Sequence, residues 1–155
     1  MKDLELERVL KMAIAQEVAA RRFYLDLADR AEDPATRDTL DFLAAEERRH
    51  REFLEAYCRG EVSSGALGLK QAVDAHVFEA MSAVSWDKDL EPAAAFLMAA
   101  GQEKTAHEFY QQLAEIHPPG EARELLSGLA NEELAHKEKM EYLYANAAFP
   151  QTDGG

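Results

Sequence analysis

Residues 46–50 read EERRH, and residues 132–136 read EELAH. In each segment a Glu-x-x-His puts a carboxylate and an imidazole on one helix face, Glu47 with His50 and Glu133 with His136. The two copies lie 86 positions apart (133 − 47 and 136 − 50), and the same offset carries Glu17 onto Glu103 (103 − 17). Each half of the chain therefore supplies one lone Glu and one Glu-x-x-His. A lone Glu from each of two helices, with a Glu-x-x-His from each of two others, is a ligand inventory already described for four-helix bundles that hold two metal ions.

The repeat is wider than these residues. Gln16, Ala20, Phe23, Tyr24, Leu27 and Ala28 match Gln102, Ala106, Phe109, Tyr110, Leu113 and Ala114. Arg37, Leu40, Leu43, Ala44 and Glu46 match Arg123, Leu126, Leu129, Ala130 and Glu132. Shared bundle patterning could produce the Leu and Ala matches. It would not place Glu, His and Phe-Tyr at one offset without an insertion. The simplest account is two copies of a helical hairpin related by a pseudo-two-fold axis.

Around these segments the pattern is all-α. Leu10, Ile14, Val18, Leu25 and Leu27 recur at helical spacing and predict a first helix over about 4–31. Asp33-Pro34 reads as a cap followed by a first-turn proline, opening a second helix that runs to about Arg59 and stops at Gly60. A third helix is expected from about Leu90 to Ile116, capped by Asp89, and a fourth from about Pro119 to Ala147. Residues 60–89 read as a long connector in which KQAVDAHVFEAMSAV forms a short amphipathic helix. The expected architecture is an antiparallel four-helix bundle with a long crossover connector. It forms one domain over 1–155, built from hairpins at about 4–59 and 90–147.

Bulk properties narrow the function. The net charge of −13 and the lack of a basic stripe argue against nucleic-acid binding. The acidity describes a solvated helical surface, and its field would also draw in cations. Cys58 is the sole cysteine, which rules out an internal disulfide and a Cys-x-x-Cys pair that could hold iron or zinc. No apolar run reaches membrane-spanning length, and the charged start MKDLELERVLK has no signal core. The expected location is cytoplasmic, with no membrane partner.

The inward stripes carry the chemistry. Helix 2 offers Leu40, Leu43, Glu47, His50, Leu54 and Tyr57, and helix 4 offers Leu126, Leu129, Glu133, His136, Met140 and Leu143. Helix 1 offers Leu10, Ala13, Glu17, Ala20, Tyr24 and Leu27, and helix 3 offers Phe96, Ala99, Glu103, Ala106, Tyr110 and Leu113. A carboxylate interrupts each apolar stripe. Four buried carboxylates repel one another, and each alone costs several kcal/mol. No basic residue sits on these positions to compensate. Two divalent cations would neutralise four ionised Glu with both His neutral. An oxygen-rich set with one His per ion suits Fe or Mn better than structural Zn. Glu47 and Glu133 are the expected bridges, Glu17 and Glu103 the terminal ligands, and His50 and His136 bind one ion each.

Other residues have candidate roles around this set. Tyr24 and Tyr110 could hold a carboxylate or stand beside a reacting oxidant. Glu46 could orient His136, and Glu132 could orient His50, through the ring N–H. Ala20 and Ala106 leave room beside the ions. His107 reads as a rim residue, His76 and His117 as surface or loop, and Trp86 as a packing anchor. Gly101 would ease a close helix contact.

The two Glu-x6-Tyr segments and the motifs EERRH and EELAH resemble the ferritin-like superfamily, most of all its rubrerythrin branch. That resemblance implies a ferritin-like fold and a non-haem di-iron centre that reacts with hydrogen peroxide or dioxygen, Mn or Zn being substitutes. It also implies a homodimer or larger assembly. Three departures qualify it. Rubrerythrins proper carry a four-cysteine iron site, which a chain with only Cys58 cannot form, so electrons would come from an external donor protein. Ala106 stands where rubrerythrins tend to have a further Glu. The short polar tail offers no fifth helix of the kind cage ferritins use. The leading expectation is peroxide reduction, as a di-iron peroxidase. The alternatives are a ferroxidase or iron-binding protein without a storage cage, and a bundle that metals merely stabilise.

Overall fold

The computed structural model describes residues 4–62 and 90–149. Four helices follow one another: α1 (Leu4–Arg30), α2 (Pro34–Cys58), α3 (Pro92–Glu115) and α4 (Glu121–Ala148). The expected connector helix, its anchor Trp86 and His76 fall outside the described residues. Among the described residues no helix is long and apolar enough to cross a membrane.

Local chemistry sets each boundary. The Asp33 carboxylate accepts from the Thr36 backbone N–H at 2.9 Å and from the Thr36 hydroxyl at 2.7 Å, and Pro34 fills the first turn of α2, where no N–H is needed. Just upstream, the Arg37 guanidinium donates to the Ala31 carbonyl at 2.7 Å and closes the turn. At the other end of α2, Gly60 adopts φ +73°. Its N–H bonds Tyr57 O, and that of Glu61 bonds Ala56 O, both at 3.0 Å. That paired pattern, with the left-handed residue a glycine, terminates the helix.

Two starts differ from expectation. The cap of α3 is Glu91, with φ −65° and ψ 147°, and the helix begins at Pro92 rather than Leu90. Proline forces the residue before it into extended backbone, so no helix begins at Leu90 and passes through Glu91. Asp89, the expected cap, lies outside the described residues. Likewise α4 starts at Glu121, after Gly120 at φ 158° and ψ −170°, and Pro119 keeps Pro118 before it out of helical backbone. Between the two helices, His117 is no idle loop residue. Its Nδ1 sits 2.7 Å from the Leu113 carbonyl, one of the acceptors left over at the end of α3.

Packing reveals the topology. One apolar cluster joins Tyr24, Leu27, Leu40, Leu43, Phe96, Ala99 and Met140. A second joins Leu10, Ala13, Leu54, Tyr110, Leu125, Leu126 and Leu129. The C-terminal half of α1 thus meets the N-terminal halves of α2 and α3 and the C-terminal half of α4. Each hairpin is antiparallel, while α2 and α3 run the same way. Two parallel helices cannot be joined by a tight turn, which is why a long connector separates them. This is the ferritin-like four-helix bundle. A parallel bridge between Ala31 and Leu90, with Leu90 N–H donating to Arg30 O at 3.3 Å, ties the start of the second hairpin to the end of α1.

The alternating seam positions are the buried ones. Leu10, Ala13, Glu17, Ala20, Tyr24 and Leu27 are all buried on α1. Val18 and Leu25, which the simpler periodicity assigned to the interior, are exposed. Each follows a seam residue directly, roughly 100° around the helix, and so turns outward. One buried ion pair was not anticipated: Lys137 Nζ lies 3.0 Å from Glu141 Oε1, one turn along α4.

Leu129 has no exposed surface and sits in the second cluster. Leu129→Ala is expected to lower the unfolding free energy by about 2–5 kcal/mol, read from urea denaturation at unchanged slope. A loss below about 1 kcal/mol would mean that this seam is not tightly packed.

Candidate metal centre

The polar layer lies between the two apolar clusters, at mid-helix in all four elements. Glu17, Glu47, His50, Glu103, Glu133 and His136 are all buried there. They fall into two groups whose donor atoms lie within 4.8 Å of one another: Glu17, Glu47, His50 and Glu133, and Glu47, Glu103, Glu133 and His136. Glu47 and Glu133 belong to both. The two imidazoles lie nearly parallel, with centroids 6.0 Å apart. All six residues picked out by the repeat are therefore brought together.

Both rings turn Nδ1 toward the layer. His50 Nδ1 lies 2.9 Å from Glu133 Oε1 and 3.6 Å from Glu17 Oε2. His136 Nδ1 lies 3.7 Å from Glu103 Oε2 and 4.0 Å from Glu47 Oε1. Yet the layer is short of hydrogen bonds. Glu17 Oε2, Glu47 Oε1, His50 Nδ1, Glu103 Oε2, Glu133 Oε1 and His136 Nδ1, one ligand atom from each residue, are buried without a hydrogen bond, since the 2.9 Å approach of His50 Nδ1 to Glu133 Oε1 is misaligned for one. Buried polar atoms are almost always paired, because desolvating one costs free energy. Six unpaired donor atoms converging on one layer fit a site that binds metal.

The other oxygens of the two lone carboxylates are held across the hairpins. The Tyr24 hydroxyl donates to Glu103 Oε1 at 2.6 Å, and the Tyr110 hydroxyl donates to Glu17 Oε1 in a very short bond. Each tyrosine therefore steadies the lone Glu of the other half. Ala20 and Ala106, one turn from those acids, are buried as well.

Arg49 changes the expected roles of Glu46 and Glu132. Its Nε donates to Glu46 Oε2 at 2.8 Å and its Nη2 to Glu132 Oε1 at 2.7 Å. Glu132 does face His50, but its Oε1 is 3.9 Å from Nε2, beyond hydrogen-bond length. Glu46 is engaged by Arg49 on its own helix instead of bonding His136. The clue was present in the sequence, since the position of Arg49 in EERRH is Ala135 in EELAH. His107 belongs to neither four-residue group. Its Nδ1 lies 2.7 Å from the Ala130 carbonyl and links α3 to α4.

The electrostatics follow from burial. Desolvation pushes Glu47 and Glu133 well above the usual carboxylate range, and the neighbouring carboxylates push them further. Burial acts the same way on Glu103, but interactions with Glu133, His136 and Tyr24 outweigh it and hold that acid low. Burial would depress His50, yet Glu17 and Glu132 raise it. Tyr24 and Tyr110 are raised well above an ordinary phenol, by burial first and then by Glu103 and Glu17 respectively, so both stay protonated donors.

The family model described as rubrerythrin matches residues 8–144. Among solved structures, a hypothetical protein from Pyrococcus furiosus is similar at 26% identity, with a TM-score of 0.65, over 98% of this chain and 96% of that one. No curated protein matches the chain.

The raised groups have a consequence for the metal-free protein. Glu47, Glu133 and His50 bind protons more tightly when folded than when unfolded. Their contribution to stability is complete below the unfolded values and is lost as pH rises through the folded ones. The thermal midpoint of metal-free protein is therefore expected to fall as pH rises above the ordinary carboxylate value of 4.5, and Glu47→Gln should flatten the slope. A midpoint that stays level or rises over that range contradicts the assignment.

Proposed function

Since this chain belongs to the rubrerythrin family, we propose that its buried layer holds two iron ions and reduces hydrogen peroxide to water. The observation that carries the reading is the set of six unpaired donor atoms, one from each of Glu17, Glu47, His50, Glu103, Glu133 and His136. Glu47 and Glu133, common to both groups, would help to hold both ions. Glu17 and Glu103 would each serve one ion, and each His would offer Nδ1 to one of them. An oxygen-rich set with one imidazole per ion favours iron, with Mn or Zn as substitutes.

When bound in the ferrous state, the pair supplies one electron from each ion, and two electrons with two protons turn one peroxide into two waters. The chain's own residues do the rest. Glu47 and Glu133 lie where burial makes protons welcome until cations displace them. Tyr24 and Tyr110 keep their protons at Oη and aim Glu103 and Glu17 by hydrogen bonds. Ala20 and Ala106 keep bulk away from the layer, leaving space for a small oxidant. An external electron-donor protein resets the centre in the cytoplasm, and the working form is a homodimer or larger homo-oligomer.

A second reading, oxidation and transfer of Fe²⁺ as substrate, draws on the net charge of −13, whose field concentrates cations at the surface. Repeated additions of Fe²⁺ distinguish the two. A ferroxidase oxidises and releases each portion, whereas a peroxidase oxidises only its resident pair.

Rapid mixing of the diferrous protein with peroxide is expected to give stoichiometric oxidation, much faster than with dioxygen. Equal rates, or no reaction with peroxide, would overturn peroxide reduction. Tyr24→Phe removes the hydroxyl that holds Glu103 and should weaken metal affinity by about 10–100-fold, measured by competition titration with Co²⁺. Unchanged affinity would leave Tyr24 without a positioning role.

A further inference from the structure

The pseudo-two-fold repeat breaks down around the two imidazoles. At His50 the site is closed. The side chains of Glu17, Glu47, His50 and Glu133 are all between 0 and 1% exposed. Arg49 fixes Glu132, the carboxylate behind His50 Nε2, from outside the layer. At His136 the side chain keeps 10% of its surface exposed, the highest value among the six. Ala135 takes the place of Arg49 there, and Glu46 is turned to Arg49 on its own helix.

Among the described residues, a phenylalanine ring lies against this opening. Phe42 meets His136 edge-on, with centroids 6.4 Å apart and planes at 79°. Phe42 is itself 44% exposed, and the ammonium of Lys139 sits 4.8 Å from its ring centroid. The repeat offers His50 nothing equivalent. The counterpart of Phe42 is the buried Gly128, and that of Lys139 is Phe53. A half-exposed ring with a surface cation against it can swing on its side-chain torsions without disturbing the core, and such rotations are fast.

Resting on the two-metal reading above, we propose that the two positions are unequal: divalent cations enter and leave past His136, with Phe42 as the covering ring. The His50 position is the closed one, and it empties only after the His136 position. Phe42 packs against the His136 ring but supplies no ligand atom itself, so it governs rates in both directions and leaves the equilibrium affinity alone.

The test is release of Co²⁺. Protein loaded with two equivalents is mixed rapidly with excess EDTA, and the cobalt absorption is followed. Wild type is expected to lose the ions in two phases of equal amplitude. Phe42→Ala should speed uptake and the fast release phase several-fold, with the slow phase, the stoichiometry and the Kd unchanged. Phe42→Trp should slow the fast phase. Lys139→Ala, which frees the ring without altering it, should speed the fast phase to a smaller extent. Release of both ions in one phase overturns the inequality while leaving the two-metal reading standing. A Phe42→Ala protein in which both phases shift alike, neither shifts, or the Kd changes with them overturns the role of Phe42 as the covering ring, again leaving the two-metal reading standing. Failure to take up Co²⁺ at all removes both readings together.

Discussion

Four carboxylates buried at the middle of a helical bundle repel one another, and everything around them answers that repulsion. Glu17, Glu47, Glu103 and Glu133 sit where an apolar seam would otherwise be continuous. Without cations the layer must carry protons, and burial drives Glu47 and Glu133 to do so. The apolar clusters on either side supply the hydrophobic stabilisation that offsets the cost. Tyr24 and Tyr110 absorb part of the remaining charge by donating to Glu103 and Glu17. A stable fold and an unsatisfied centre are thus compatible, because the unfavourable layer is thin and its neighbours are well packed.

Much of this was legible before any coordinates. The offset between the halves identified all six converging residues, because bundle patterning cannot place Glu, His and Phe-Tyr at matched positions by itself. The caps at Asp33 and Gly60 were equally readable, since each depends on the chemistry of one residue. The crossover followed from the length of the connector. Less legible was which acid each tyrosine would hold. A Tyr seven residues after a Glu lies about 10 Å up the same helix, too far to bond it. It reaches the Glu of the opposite hairpin instead, and that pairing is a property of antiparallel packing between halves.

The remaining errors have physical reasons as well. Val18 and Leu25 fit a helical period but not the seam, and a period alone does not say which of two adjacent faces turns inward. Glu46 and Glu132 read as partners of the imidazoles, but Arg49 competes for both. A guanidinium with donors at two edges can engage two carboxylates on different helices, and it does so here. The spacing of Lys137 and Glu141 was visible as one helical turn, but their burial was not. Sequence pattern reports which side chains share a face. It reports competition between partners only where one partner has no alternative.

The mixed parentage of each four-residue group bears on how the chain is made. The first group draws Glu17, Glu47 and His50 from the early hairpin and Glu133 from the last helix, and Glu17 is held by Tyr110 from α3. The second group likewise needs Glu47 from the early hairpin. A ribosome that has released only α1 and α2 has therefore produced neither a complete group nor a braced acid. Stray ions meeting the nascent chain find three loosely placed side chains, and a finished cage exists only once α4 has emerged and docked.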